Sequence, residues 1–278
     1  MDSPFRADCA EGLVVLVTGY VHAGSNPHLK DCSSHKSVAY RRRSICCLCS
    51  GGSGIGHGIC EVFAAHGAKI AMFGRRKAVL DKACTSLKGR WPACDALGVA
   101  GDVRSPESCA SAVAAVVERF GRMDVLVNAA AGNFMALAED LGGRGFKTVI
   151  EIDLQGTFNM AVAALPALSL TKSPRKMPKL AGSPVIVNIS ATLQYKALPF
   201  QAHASAAKAA IDSLTKTLGV EWAADHQVRV TGIAPGPIAG TEGGPTGRVF
   251  GAALVGQDVA DIVPLGRVRC RGFEPWLA

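Results

Sequence analysis

The chain reads as a doubly wound, parallel α/β sheet in a single domain spanning residues 1–278. Three observations predict it. Short apolar runs rich in Val and Ile alternate with helical stretches from Lys69 to Ile233, the rhythm of βαβ units. Apolar residues make up 49% of 278 positions, enough for one large core. A glycine-rich turn joins an apolar strand to an amphipathic helix near the start, although it arrives in two pieces.

The first piece is GLVVLVTG, Gly12 to Gly19; the second is GGSGIG, Gly51 to Gly56, followed by HGICEVFAAHGAK. Joined, they form a strand, a glycine arc and a helix. Gly19, Gly51, Ser53, Gly54, Ile55 and Gly56 then form a cradle for a dinucleotide pyrophosphate, because glycine lets the backbone approach and the helix start offers free N–H groups.

Between the pieces lie 31 residues, Tyr20 to Ser50, with three of the seven histidines and a C-C-x-C run at Cys46, Cys47 and Cys49. Three readings stand open: a metal site, for which the spacing is unfamiliar; a surface insertion, which would split the tightest turn of the fold; and a retained intron, favoured because Ile45 to Ser50 can be written as a pyrimidine-rich splice acceptor. The third predicts a disordered or poorly packed segment.

The remaining elements follow in order. Lys69–Phe73 is a strand ending in Gly74-Arg75-Arg76. Guanidinium groups there suit the 2′-phosphate of NADP, where a carboxylate would suit NAD. A helix (77–87) leads to a strand (96–103) whose Asp102 can accept from the adenine amino group. Pro106–Phe120 is a helix with a clear start and a Phe-Gly stop. A strand (123–127) runs into Asn128 and a run of small residues fit to lie beneath a flat cofactor. A long helix (146–168), a Lys/Pro-rich loop (169–183), a strand (184–190), a second long helix (202–224) carrying Lys208, and a strand (228–233) complete the alternation. The turn after it holds Pro235, Gly236 and Ile238, with Thr241 close behind.

Net charge is +8 without aromatic-basic interleaving, so no nucleic-acid partner is expected. No apolar run is long enough for a membrane span, and the polar N-terminus does not read as a signal peptide. Ten scattered cysteines suggest reduced thiols in an intracellular protein, and no metal is expected.

The glycine arc, NAAAG (128–132), VNIS (187–190), the Lys208 helix and the PGP turn, taken in order, resemble the short-chain dehydrogenase/reductase family over about Gly12 to Gly243. Most members use a Ser, a Tyr and a Lys. Here Ala204 stands four residues before Lys208, Ala191 stands at the Ser place, and Asp153 stands where a helix Asn is usual. The stretches AAGNF (130–134), FKTVIEIDLQGTFN (146–159), SATLQYKALPFQAHASAAKAAID (190–212) and APGPIAGTEG (234–243) resemble the peroxisomal 2,4-dienoyl-CoA reductase branch, which also lacks the tyrosine.

That resemblance implies NADPH-dependent reduction of a 2,4-dienoyl-CoA to a 3-enoyl-CoA in peroxisomal β-oxidation. It makes Asp153 and Lys208 the catalytic pair, with Lys208 also on the cofactor ribose. Arg75, Arg104 and Phe134 line the acyl-CoA side, Tyr195 is placed to reach the thioester oxygen, and His203 sits beside the empty tyrosine place. The alternatives are a 3-oxoacyl thioester reductase or an inactive nucleotide-binding relative. The tail (268–278) leaves the family pattern. A seventh, edge strand and a peroxisomal tripeptide are expected to be missing, so a cytoplasmic location stays open. A homo-oligomer is expected only if the tail were complete.

Overall fold

The computed structural model describes residues 14–19, 46–49, 54–169 and 184–238. Along them run β1 (Val14–Gly19), β2 (Cys46–Cys49), α1 (Gly54–Ala65), β3 (Lys69–Gly74), α2 (Lys77–Arg90), β4 (Ala96–Ala100), α3 (Pro106–Phe120) and β5 (Val125–Ala129). Then come α4 (Gly143–Ile150), a π-helical turn (Glu151–Gln155), α5 (Gly156–Leu168), β6 (Val185–Ile189), α6 (Leu193–Lys196), α7 (Ala202–His226) and β7 (Arg229–Ile233). Every strand pairing is parallel. Helices cover both faces, the arrangement that parallel crossovers impose.

Alternation along β3 and β5 sorts the core into two layers. Ala71, Phe73 and Leu126 face α3, α5 and α7, packing with Val116, Met160, Leu168 and Trp222. Ile70, Met72, Val125 and Val127 face α1 and α2, packing with Cys60, Ala64, Leu80 and Leu87. Helix α3 matches its expected bounds because its ends are chemically marked. Ser105 caps the start by accepting from the Ser108 N–H at 3.0 Å, and Gly121 ends it at φ 79°.

The centre of the sheet holds a duplication. β3 pairs β4 along one edge and β5 pairs β6 along one edge, yet both β1 and β2 pair with β3 and with β5. Val15 and Cys46 both lie opposite Ile70, and Leu16 and Cys47 both lie opposite Ala71 and Leu126. A strand has two edges, so one slot between β3 and β5 has two claimants, offset by the 31 residues of the interruption.

Of the interruption 20–50, expected to pack poorly, Cys46–Cys49 is described, in register with β3 and β5; the rest of that segment lies outside the described residues. The long helix expected over 146–168 is broken by the π turn, and β4 stops at Ala100, short of Val103. The expected loss of a seventh strand and the divergent tail also fall outside the described residues. Among those described, β7 forms an edge, and Thr231, Gly232 and Ile233 are exposed. No helix there is long and apolar enough to cross a membrane. Cys60, Cys84, Cys94 and Cys109 are free thiols, and burial pushes Cys84 up to about 11 and Cys109 up to about 12.

Removing residues 20–50 leaves one claimant for the slot and joins Gly19 directly to Gly51. Each kcal/mol moves the Tm of a domain this size by about 2–4 °C. The shortened chain should melt at least about 3 °C above the full chain in a calorimetric scan; an equal or lower Tm would show that the two strands do not compete.

Candidate active site

Asp153 lies in the π-helical turn and Lys208 on α7, and the fold brings them together. Lys208 Nζ stands 3.1 Å from Asp153 Oδ2 and also donates to the Ile189 carbonyl at 3.1 Å, at the carboxyl end of β6. The other carboxylate oxygen accepts from the Gly132 N–H at 2.7 Å, on the loop after β5. Both side chains are buried, Asp153 to 1% exposure and Lys208 to 7%. The sequence-expected pair is thus one contact, fixed by three separate elements.

The π turn is what aims the carboxylate. An extra residue in the turn shifts every later side chain around the axis, a device common at functional sites. Gly156 follows at once, and its N–H reaches the carbonyls of Asp153 and Glu151. A Cβ on Gly156 would stand 2.6 Å from Val103, so only glycine lets the helix approach the loop after β4 so closely. Thr157 Oγ1 also donates to the Asp153 carbonyl, at 2.6 Å.

Burial raises the pKa of Asp153, and the Lys208 ammonium and Gly132 N–H draw it back without cancelling the rise. Its carboxyl therefore holds a proton above the ordinary carboxylate range. Beside it, His203 has 0% exposure, and its ring lies 4.4 Å from that of Phe134, centroid to centroid. Burial lowers the His203 pKa, and the Phe134 backbone and the Asp153 charge work in the other direction. The imidazole is held neutral.

The cofactor side gathers at the carboxyl ends of the strands. Asn128 at the end of β5 donates to Asn188 on β6 at 2.9 Å, and Asn188 donates to Thr215 on α7 at 2.9 Å. This chain of amides fixes α7 against the sheet and so sets Lys208. Gly54, at the start of α1, has φ +64°, with nothing among the described residues within 4 Å of where a Cβ would stand. A helix N-terminus fits a pyrophosphate. Ile55 and Gly56 continue that first turn, and Gly19 ends β1. Arg75 and Arg76 stand exposed after β3. Thr192 and Ser190 hold the exit of β7 through bonds to Pro235 and Ile233, with Gly236 and Ile238 beyond. Gly51, Ser53 and Thr241 lie outside the described residues.

Three residues given roles by the sequence reading hold partners of their own in the structure. The Asp102 carboxylate is gripped by Arg104, whose Nη2 lies 2.6 Å from Oδ2; the Arg104 guanidinium holds the Asp102 carboxyl below its usual range. The expected adenine acceptor and the expected CoA-phosphate donor are thus paired with each other, beside a cleft of about 380 Å³ that Ser105, Glu151 and Gln155 also line. Tyr195 is 69% exposed, and its hydroxyl donates to Asp212 at 3.0 Å. Sequence reasoning missed the π turn, for which Gly156 inside an apolar helix was a signal. It also missed Gln201, which accepts from the Asn133 amide at 2.6 Å and donates to the Phe134 carbonyl at 3.3 Å. No motif marks a staple between residues so distant in sequence.

A glycine-led helix start, a buried carboxylate–ammonium pair and the ends of a parallel sheet define a nucleotide-binding α/β oxidoreductase site without a phenol at the usual place. Residues 44–246 match the family model described as short chain dehydrogenase. The chain belongs to the short chain dehydrogenase family, oxidoreductases that take a nicotinamide cofactor. The match opens just ahead of β2, so the family pattern is read with β2 and not β1 as its first strand.

Among relatives, the chain is 46% identical over 243 residues to a peroxisomal 2,4-dienoyl-CoA reductase of Arabidopsis thaliana, covering 87% of this chain and 70% of that one. It is 43% identical over 199 residues to a protein of the same name from Danio rerio, covering 70% and 61%. A crystal structure of a short chain dehydrogenase from Bacillus anthracis superposes with a TM-score of 0.71 at 32% identity, covering 94% of this chain and 86% of that one.

Breaking a buried pair from one side strands the other charge, at a cost of about 3–5 kcal/mol. Lys208→Met should therefore destabilise the chain by about that amount in urea titrations, and Asp153→Leu added to it should recover part of the loss. Strict additivity of the two changes would show that the contact is not energetically coupled.

Proposed function

We propose that this chain is an NADPH-dependent 2,4-dienoyl-CoA reductase that forms 3-enoyl-CoA in the β-oxidation of unsaturated fatty acids. The observation that carries the reading is the buried Asp153–Lys208 pair at 3.1 Å, in a family site where Ala191 and Ala204 replace the usual hydroxyls. An alkoxide formed by ketone reduction would meet no phenol to protonate it. A conjugated thioester makes a different demand: it spreads negative charge to the thioester oxygen and takes its proton on carbon. The names and identities of the plant and fish relatives support the same reading, and they suggest the peroxisome as compartment.

When bound, the nicotinamide supplies a hydride to C5 of the dienoyl group. Lys208 would hold the nicotinamide ribose and place positive potential under the site, while Asn128 and the amide chain behind it keep α7 in register. Asp153, whose pKa burial raises, gives a proton to C2 directly or through one water. Preorganised donors toward the developing charge supply most of the acceleration. Arg75 and Arg76 favour NADP through its 2′-phosphate. Phe134 borders the acyl side, and Arg104 can offer a CoA phosphate its guanidinium once released from Asp102.

Loss of dienoyl-CoA absorbance in the presence of NADPH, by the full chain and by a version lacking residues 20–50, tests the reading; reduction of 3-oxoacyl thioesters instead would overturn it. Asp153→Ala should abolish turnover while leaving NADPH affinity within about threefold, and an equal loss of both would make the residue structural. Because its pKa is raised, an acid role makes kcat fall as pH rises through that raised value. Replacing Arg75 and Arg76 together with Ala should raise KM for NADPH about 10–100-fold and leave KM for NADH nearly unchanged.

A further inference from the structure

We infer that His203 is a further catalytic residue, the hydrogen-bond donor to the thioester oxygen of the substrate; the inference rests on the dienoyl thioester reading above. His203 is fully buried, its ring lies close to the Phe134 backbone, and neither ring nitrogen meets a partner at full hydrogen-bond geometry among the described residues. Buried polar groups are rarely left so, because an unmade bond costs about 1–3 kcal/mol. The ring packs on Phe134, whose carbonyl Gln201 grips, and feels the charge of Asp153. It thus lies near both the acid and the residue bordering the acyl group.

The site also needs such a donor. The serine and tyrosine hydroxyls usual in the family are absent at Ala191 and Ala204, and the hydroxyl of Tyr195 is spent on Asp212 at the surface. A neutral imidazole has one N–H to give and does not lose it to a weakly basic oxygen. As hydride reaches C5, the electron pair moves through the conjugated system onto the thioester oxygen, where the His203 N–H stabilises it without proton transfer. The pair then returns to form the C2–H bond with the proton from Asp153. The sum is dienoyl-CoA, NADPH and one proton giving 3-enoyl-CoA and NADP.

The full chain with NADP and 2,4-hexadienoyl-CoA gives a complex in which no hydride can move. A hydrogen bond to the thioester oxygen polarises the conjugated system and shifts its absorbance to longer wavelength. His203→Phe should abolish that shift and lower kcat about 100-fold, with KM for the thioester changed less than about threefold. His203→Gln, which keeps an N–H, should retain part of both. A red shift and kcat unchanged in His203→Phe would overturn the inference and leave the proposed function standing. If His203→Phe also loses NADP affinity, His203→Gln decides: a retained red shift supports the role, and its loss with NADP affinity intact overturns it. A full chain that neither shifts nor reduces the dienoyl thioester overturns the proposed function, and the role of His203 falls with it.

Discussion

The contact between Lys208 and Asp153 is the constraint to which the rest of the site answers. Two charges taken out of water are tolerable only if each finds its full set of partners. The fold supplies them from far apart: the Gly132 N–H from the loop after β5, the Ile189 carbonyl from the end of β6, and the ammonium from α7. The π turn, Gly156 against Val103, and the amides of Asn128 and Asn188 all hold these partners in reach. Burial then leaves the carboxyl more readily protonated than an exposed one.

The slot between β3 and β5 shows how little a central parallel strand asks of its sequence. VLVT and CCLC meet the same backbone partners in the same register. With residues 20–50 removed, β1 would feed the glycine arc at the distance at which β2 feeds it, since the offset equals the length of the interruption. What differs is the residue entering the arc, Gly19 after one strand and Ser50 after the other. A parallel ladder is held by main-chain hydrogen bonds and by apolar side chains on both faces. Both segments meet the main-chain partners, and the family match runs through the second.

Elements with chemical punctuation at their ends were readable in advance. Ser105-Pro106 and Phe120-Gly121 mark α3 to the residue, and the VNIS and KIAMF runs lie on β6 and β3. Elements whose ends are set by packing were not. β4 stops at Ala100 because Gly101 turns under Phe73, where a Cβ would stand 2.3 Å from the ring. The π turn leaves no periodic trace, since one extra residue in an apolar helix changes the phase and not the composition.

Alternating apolar runs, the glycine arc, and the alanines at 191 and 204 determined by themselves that this is a nucleotide-binding α/β chain lacking the usual hydroxyls. Those are local or positional properties, and a linear text carries them. Only the tertiary structure decided that Asp153 and Lys208 share one buried contact, that Asp102 is bound to Arg104, and that the His203 ring is buried against Phe134 within reach of the Asp153 charge. Each of these is a relation of distance and burial between elements, and desolvation has no magnitude until the surrounding chain has closed around the group.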